Sequence, residues 1–229
     1  MRWFIIFLLW VSIFACTSRH PEHRSSNVTT VDTARQPTDM EPFDLRVRKY
    51  EDPVRESWQN PNFILYLLGP LKNKTVADIG AGTGYFSFRM APIAKKVIAI
   101  DVEKRFLDYI EDRKQELANG AIAKKIETKL ASSDDPGLTP GQVDVVLMVN
   151  TLSFIKNHLN YLQTLHGELK PNTKIVIVDY KQGVMPIGQV NKTKINANEL
   201  IDELGKARFV ITKTDTVSLQ YQYVIVAKS

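Results

Sequence analysis

Short apolar runs alternate with segments of helical periodicity over most of this 229-residue chain, and this alternation constrains the fold more than any other feature. Runs such as Val143–Val149 are nearly continuous in Val, Leu and Met, which is typical of strands buried on both faces. Segments between them carry apolar residues at helical spacing, as in Phe106, Leu107 and Ile110. The sequence therefore predicts an α/β domain with a doubly wound, mainly parallel sheet.

Seven strands are predicted, and the last two differ from the others in how they are connected. The strands are predicted at residues 73–79, 96–100, 125–131, 143–149, 174–178, 209–214 and 221–227, and the helices at 83–91, 103–118, 159–169 and 198–207. The sixth and seventh strands follow each other through a short turn, so they are expected to form an antiparallel hairpin at the edge of the seven-stranded sheet.

A glycine-rich turn follows the first predicted strand and reads Asp78-Ile79-Gly80-Ala81-Gly82-Thr83-Gly84-Tyr85. Glycines at such a turn let a ligand approach the backbone where a side chain would collide. A dinucleotide fingerprint would require glycine at the sixth position, which is Tyr85 here, and the Lys-Ser/Thr tail of a P-loop is also missing. A tight turn without a ligand would use one glycine rather than three. The turn therefore indicates a ligand other than NAD, FAD or a nucleoside triphosphate.

The pattern Asp-x-Gly-x-Gly-x-Gly resembles motif I of the class I S-adenosylmethionine-dependent methyltransferases. Other stretches resemble a bacterial branch near the quinone-biosynthesis methyltransferases, and the resemblance covers about residues 45–228. These stretches are Tyr50–Pro61, Val76–Arg89, Ser132–Leu138 and Leu169–Pro171. The resemblance implies a Rossmann-like methyltransferase fold with S-adenosyl-L-methionine as the cofactor.

The same resemblance implies roles for the cofactor-binding residues. The three glycines Gly80, Gly82 and Gly84 would let the backbone pass under the methionine and ribose parts of the cofactor. Asp78 would accept a hydrogen bond from the amino-acid end of the cofactor. Asp101, at the end of the second strand, would accept both ribose hydroxyls, although it could also cap the helix that starts near Glu103. Ser133 and Asp134 match a loop that contacts the adenine edge, yet Ser-Ser-Asp-Asp-Pro is equally a plain turn.

Methyl transfer needs an aligned nucleophile more than it needs acid–base groups, but a base helps when the acceptor must lose a proton. Asn150 and Asp179, at the ends of the fourth and fifth strands, are the catalytic candidates. Asp179 is the better base candidate, with capping of the following turn as the alternative. Relatives in this branch carry an acid and a Tyr-His-His run where this chain has Asn150–Phe154, which leaves the acceptor site open. His158 and His166 are interpreted as surface or packing residues.

The N-terminal residues read as a targeting signal. Trp3–Phe14 is an apolar run too short to span a bilayer as a helix, and it ends at Cys16, the chain's single cysteine. The end of this segment, Ile13-Phe14-Ala15-Cys16, resembles a bacterial lipobox, in which the cysteine is lipidated. An uncleaved anchor or a buried Cys16 is the alternative. The sequence thus predicts a signal peptide at 1–15, a Ser/Thr-rich lipid-anchored tether at 16–42 and a methyltransferase domain at 43–229. The predicted location is the periplasmic or outer-membrane side, or the cytoplasm if the leader is misread.

Composition excludes several function classes. A single cysteine excludes an internal disulfide framework and a Cys-based zinc site, and nothing suggests a metal. The net charge of +5 is spread along the chain, so nucleic-acid binding is not indicated. Two hypotheses stay open: methyl transfer to a small, potentially membrane-borne acceptor, and a non-catalytic exported ligand-binding or interaction protein that retains the fold. A nicotinamide oxidoreductase is contradicted by Tyr85. Oligomeric state is not predicted.

Overall fold

A seven-stranded sheet organises the part of the chain that the computed structural model describes, residues 41–183 and 194–229. Its strands are β1 Thr75–Ile79, β2 Lys96–Asp101, β3 Ile126–Leu130, β4 Val145–Val149, β5 Lys174–Tyr180, β6 Val210–Asp215 and β7 Gln222–Lys228. Their spatial order is β3-β2-β1-β4-β5-β7-β6. All seven predicted strands are present, with ends that differ from the predicted ones by at most two residues.

The pairing of these strands confirms the predicted doubly wound topology. β3, β2, β1, β4 and β5 pair in parallel, whereas β7 is antiparallel to both β5 and β6. The chain moves outward from β1 to β3 and then returns to the other side of β1 as β4. In open sheets of this kind, ligands bind at the carboxyl ends of the strands beside such a reversal. The carboxyl ends of β1, β2 and β4 are therefore the expected site.

Helices cover both faces of the sheet. They are α1 Phe43–Tyr50, α2 Arg55–Gln59, α3 Pro61–Leu68, α4 Tyr85–Met90, α5 Lys104–Glu116, α6 Gly120–Ala123, α7 His158–Glu168 and α8 Ala197–Lys206, with a short 3-10 turn at Leu152–Phe154. No helices were predicted before β1, so α1, α2 and α3 are new. Helix α4 begins two residues later than predicted, because Thr83 and Gly84 still belong to the turn.

Alternate residues of each central strand pack into two separate apolar layers. On β4, Leu147 faces the layer that includes α3 and α4, whereas Met148 faces the layer that includes α7 and α8. Every residue of β4 is buried, because helices cover it on both sides. This explains why the central strands read as continuous apolar runs rather than as alternating patterns.

The predicted N-terminal signal lies outside the described residues. This applies to the signal peptide at 1–15, to Cys16 and to residues 17–40 of the predicted tether. The described part begins just before α1, and Glu41–Ser229 forms one compact unit. Within residues 41–183 and 194–229, no helix combines the length and apolarity that a bilayer span requires.

Candidate functional site

The glycine turn after β1 is held against the neighbouring strand ends. The N–H groups of Gly80 and Ala81 both donate to the carbonyl of Ile100, at 2.8 and 3.0 Å. Gly80 has φ +75°, and a Cβ there would lie 2.6 Å from the Cγ2 atom of Thr151, which follows β4. Only a residue without a side chain fits at this close approach between the ends of β1 and β4.

Asp101 and Gly82 meet in this turn although 19 residues separate them. One carboxylate oxygen of Asp101 accepts from the Gly82 N–H at 2.8 Å, and the other accepts from the Glu103 N–H at 2.9 Å. Burial raises the pKa of Asp101, and the N–H groups of Glu103 and Gly82 oppose this rise. The N-cap of α5 is Glu103 rather than Asp101, so the proposed helix cap is wrong. The carboxylate instead stabilises the turn through its hydrogen bonds to the Gly82 and Glu103 N–H groups.

Asp78 lies below the turn and is almost completely buried. Its Oδ2 atom accepts from the Ser87 hydroxyl at 2.6 Å. Burial raises its pKa to about 6, against the opposing effects of the Ser87 hydroxyl and the Arg55 guanidinium. A carboxylate in such a place is stabilised by a neighbouring cation.

Arg55 in α2 is a charged residue of this site that the sequence analysis did not single out. Its Nη1 atom donates to the Tyr50 carbonyl at 2.8 Å, and its Nε atom donates to Gln59. The guanidinium lies over the Tyr85 ring, 4.0 Å from the ring centre. Burial lowers the pKa of Arg55. Its position within the matched stretch Tyr50–Pro61 was the signal that could have found it.

Tyr50, the last residue of α1, covers the turn from above. A Cβ on Gly82, which has φ +53°, would lie 3.3 Å from the Tyr50 ring. That ring stacks on Phe106 of α5 with centroids 5.5 Å apart. The side chain of Arg46 donates to both carboxylate oxygens of Glu103, at 2.6 and 2.8 Å, which fastens α1 to the start of α5. The helix therefore closes the site over the turn.

A second group of polar and aromatic residues lies at the ends of β4 and β5. Asn150 has φ +56°, and its N–H donates to the Val178 carbonyl at 2.8 Å. Its side-chain oxygen accepts from Gln222 at 2.7 Å. Trp58 of α2 lies beside two tyrosines, with ring centroids 6.1 Å from Tyr180 and 6.5 Å from Tyr221. Together these residues give an aromatic wall next to a pair of amides.

Asp179 has a different environment from the one expected of a free base. Its Oδ1 atom accepts from the Tyr180 N–H at 2.8 Å and from the Ser153 hydroxyl at 3.0 Å. The residue is only 1% exposed, and burial raises its pKa. On β5 it alternates with Val178 and Tyr180, so it lies on the face of Ile177 rather than on the face of the aromatic wall. This geometry favours the alternative role, in which Asp179 holds the turn after β5.

Comparison with known proteins shows what this arrangement is similar to. Residues 77–177 match the family model described as a methyltransferase domain. A solved structure described as a SAM-dependent methyltransferase from Aquifex aeolicus has a TM-score of 0.74 and 22% identity, covering 82% of this chain and 99% of the other. The chain therefore has the fold of the class I methyltransferases, and residues 77–177 match the methyltransferase domain model. This match and the fold indicate S-adenosylmethionine as the cofactor and support an enzyme.

The names of two relatives refer to different acceptors. A ubiquinone biosynthesis O-methyltransferase from Shewanella halifaxensis is 25% identical over 177 residues, which are 70% of this chain and 72% of the relative. A tRNA U34 carboxymethyltransferase from Actinobacillus succinogenes is 31% identical over 121 residues. Those residues are 52% of this chain, and the match spans only 36% of the relative's length.

The remaining predicted residues of the methyltransferase domain are dispersed around this centre. Gly84 lies against Phe88 and Ile110, so its small size serves helix packing. Ser133 and Asp134 are exposed in the loop after β3, and the hydrogen bonds that this loop makes are those of a turn. Residues 41–183 and 194–229 contain no group of three or more His, Cys, Asp and Glu side chains that could hold a metal ion.

The residues present fit S-adenosylmethionine in chemical type. The ligand carries an ammonium, a carboxylate, a sulfonium and two ribose hydroxyls, and the charged side chains around the turn are Asp78, Arg55 and Asp101. The Thr83 hydroxyl, buried within the turn, has no hydrogen-bond partner among the described residues. A buried hydroxyl without a partner is costly, which is consistent with a ligand group at this place.

Proposed function

We propose that this protein transfers the methyl group of S-adenosylmethionine to a small acceptor with an apolar, aromatic-sized body. The observation that carries the proposal is the meeting of Asp78, Arg55 and the Asp101–Gly82 bond at the point where β1 and β4 diverge. The match of residues 77–177 to the methyltransferase model supports it.

Each charged residue of the turn has a partner in this proposal. Asp101 accepts the ribose hydroxyls with its remaining lone pairs, because a carboxylate has about four acceptor positions and the described N–H donors use two. Asp78 pairs with the ammonium, which offsets the cost of its burial. Arg55 binds the carboxylate, and Tyr50 closes over the ligand and excludes water.

The acceptor lies on the other side of the turn, between Asn150 and the wall formed by Trp58, Tyr180 and Tyr221. The cofactor, when bound, supplies a methyl group on a positively charged sulfur; the acceptor atom bonds to that carbon while the electron pair of the broken C–S bond stays on sulfur. Asp179 is held by two donors on the opposite face, so the released proton passes to solvent. Catalysis then depends mainly on alignment.

A small acceptor is favoured over a nucleic acid. Phosphate recognition requires free Lys and Arg side chains around the site. Arg55 faces the proposed cofactor, and three other arginines near this turn are already paired with acids: Arg46 with Glu103, Arg89 with Glu56 and Arg113 with Glu51. The aromatic wall instead suits a flat apolar body.

The location is a separate part of the proposal and rests on sequence alone. Trp3–Phe14 and the lone Cys16 support an exported, lipid-anchored protein, with the domain tethered to a membrane surface. Such an anchor would bring the site close to membrane-borne acceptors. Labelling of the expressed protein with a radioactive or alkyne fatty acid, with Cys16→Ser as the control, tests it. Label that persists in the variant would refute the anchor.

Titration calorimetry on the full chain tests the cofactor assignment. We expect binding of S-adenosylmethionine and S-adenosylhomocysteine at micromolar strength and none of NAD. Release of S-adenosylhomocysteine is then followed with a panel of phenols and amines. Binding without turnover of any acceptor would favour the non-catalytic binding protein, and binding of NAD alone would refute the proposed cofactor.

A further inference from the structure

Gln222, at the start of β7, is a completely buried amide beside the acceptor side of the site. It is directly opposite Tyr180 in the register of β5 and β7, and it is 0% exposed. Its Nε2 atom donates to Oδ1 of Asn150 at 2.7 Å, across the end of the intervening strand. The Oε1 atom of Gln222 is buried and has no hydrogen-bond partner among the described residues, so the bond to Asn150 is the hydrogen bond that this side chain makes.

Asn150 is the member of the pair that a ligand can reach. It is partly exposed, and it directly precedes Thr151, which packs against Gly80 of the cofactor turn. Its left-handed backbone and its N–H bond to Val178 fix the direction of the side chain. Because Oδ1 is turned toward Gln222, the other end of the amide is the Nδ2 donor. That donor has no hydrogen-bond partner among the described residues.

We propose that Gln222 is a positioning residue that fixes the orientation of the Asn150 amide, so that the acceptor subsite presents a hydrogen-bond donor. The inference rests on the proposed function and narrows its substrate class. The group beside the transferred methyl must carry an available lone pair, as a carbonyl, ether, phenol or ring nitrogen does. Groups that only donate hydrogen bonds are disfavoured, because they would face the Nδ2 donor unpaired.

Two aromatic probes of similar size distinguish donor from acceptor recognition. Acetophenone only accepts a hydrogen bond, whereas indole only donates one. Their binding to the full chain is measured by saturation-transfer NMR in the presence of S-adenosylhomocysteine. We expect the wild-type protein to bind acetophenone about tenfold more tightly than indole, the discrimination that one unpaired buried group supplies. A preference for indole, equal binding, or binding of neither would overturn the inference.

Two substitutions should reverse this preference by different routes. In Asn150→Asp, one carboxylate oxygen still accepts from Gln222 and the other presents an acceptor to the ligand. In Gln222→Glu, the new carboxylate accepts from Nδ2, so the Asn150 amide turns over and presents its oxygen. Gln220→Glu, which adds the same charge at an exposed position two residues away, is the matched control and should keep the wild-type ratio.

The outcomes separate this inference from the proposed function. If Asn150→Asp changes the ratio but a folded Gln222→Glu does not, Gln222 has no positioning role. If burial of the charge unfolds Gln222→Glu, as circular dichroism would show, Gln222→Met replaces it and should bring the ratio close to one. A wild-type ratio in that variant would equally overturn the inference. Calorimetry with S-adenosylhomocysteine on the same samples reports the cofactor site alone, so a failure of the proposed function appears there instead.

Discussion

Replacing Asp78 with Asn tests whether a buried carboxylate is retained for binding at the expense of stability. Asp78 is 3% exposed, and burial raises its pKa from 3.8 to about 6. The ionised form is therefore disfavoured in the folded protein by about two pH units at roughly 1.4 kcal/mol each, or about 3 kcal/mol at neutral pH. Asn keeps the shape and can still accept from the Ser87 hydroxyl.

The pH dependence fixes the sign of the effect. A carboxyl group whose pKa is raised on folding binds more protons in the folded state, so its stability contribution is complete below its unfolded pKa. That contribution is lost as the pH rises through about 6, the folded pKa of Asp78. Asp78→Asn removes this loss. The variant should gain about 2–3 kcal/mol relative to wild type between pH 4 and pH 7.5.

Urea unfolding of the ligand-free protein at pH 4 and pH 7.5 measures this difference, and calorimetry measures the accompanying loss of cofactor affinity. Asp144→Asn is the control with the opposite sign. Burial would raise the pKa of Asp144, but Lys170 and the Thr75 N–H outweigh it and lower the pKa. This control should lose stability at both pH values, because the contribution of Asp144 disappears only as the pH falls below 3.8 and through the lowered pKa of the folded state. The reasoning is refuted if the stability of Asp78→Asn relative to wild type does not increase from pH 4 to pH 7.5.

Three further substitutions test the site. Asp101→Ala should weaken S-adenosylmethionine binding by on the order of 1–3 kcal/mol in calorimetry, and unchanged affinity would remove the ribose assignment. Gly80→Ala should destabilise the domain by about 2 kcal/mol or more in urea unfolding, since the new Cβ overlaps Thr151. Adding Thr151→Ala to the same chain should recover part of this lost stability, and no recovery would contradict the overlap. Arg55→Lys should lower cofactor affinity about tenfold with little change in unfolding free energy, because a lysine cannot reproduce the planar fork; an unchanged dissociation constant would place Arg55 outside the site.

Much of the cofactor side could be predicted from the sequence because its signals are local. The strand, the glycine turn and the following helix are contiguous, and Asp101 lies at the end of the next strand. The structure brings these parts together through the Asp101–Gly82 bond. Gly84 is the exception among the glycines, because its neighbours Phe88 and Ile110 come from two helices whose packing the turn does not encode.

The acceptor side was harder to predict because its residues come from distant parts of the chain. Asn150 and Asp179 were recognisable from the sequence as strand ends. The face of the sheet on which Asp179 lies was not, since one residue of register moves a side chain from one face to the other. Arg55 and Tyr50 were missed as site residues because their role depends on the folding of α1 and α2 over the turn.

The sequence by itself determined the fold class, the order of the strands along the chain and the kind of ligand that the turn accepts. These depend on apolar periodicity and on glycines at fixed spacing, both of which are local properties. Only the tertiary structure placed Gln222 beside Asn150, 72 residues apart in the chain, and set β7 between β5 and β6. Contacts of this kind depend on strand order and register, which no local pattern contains.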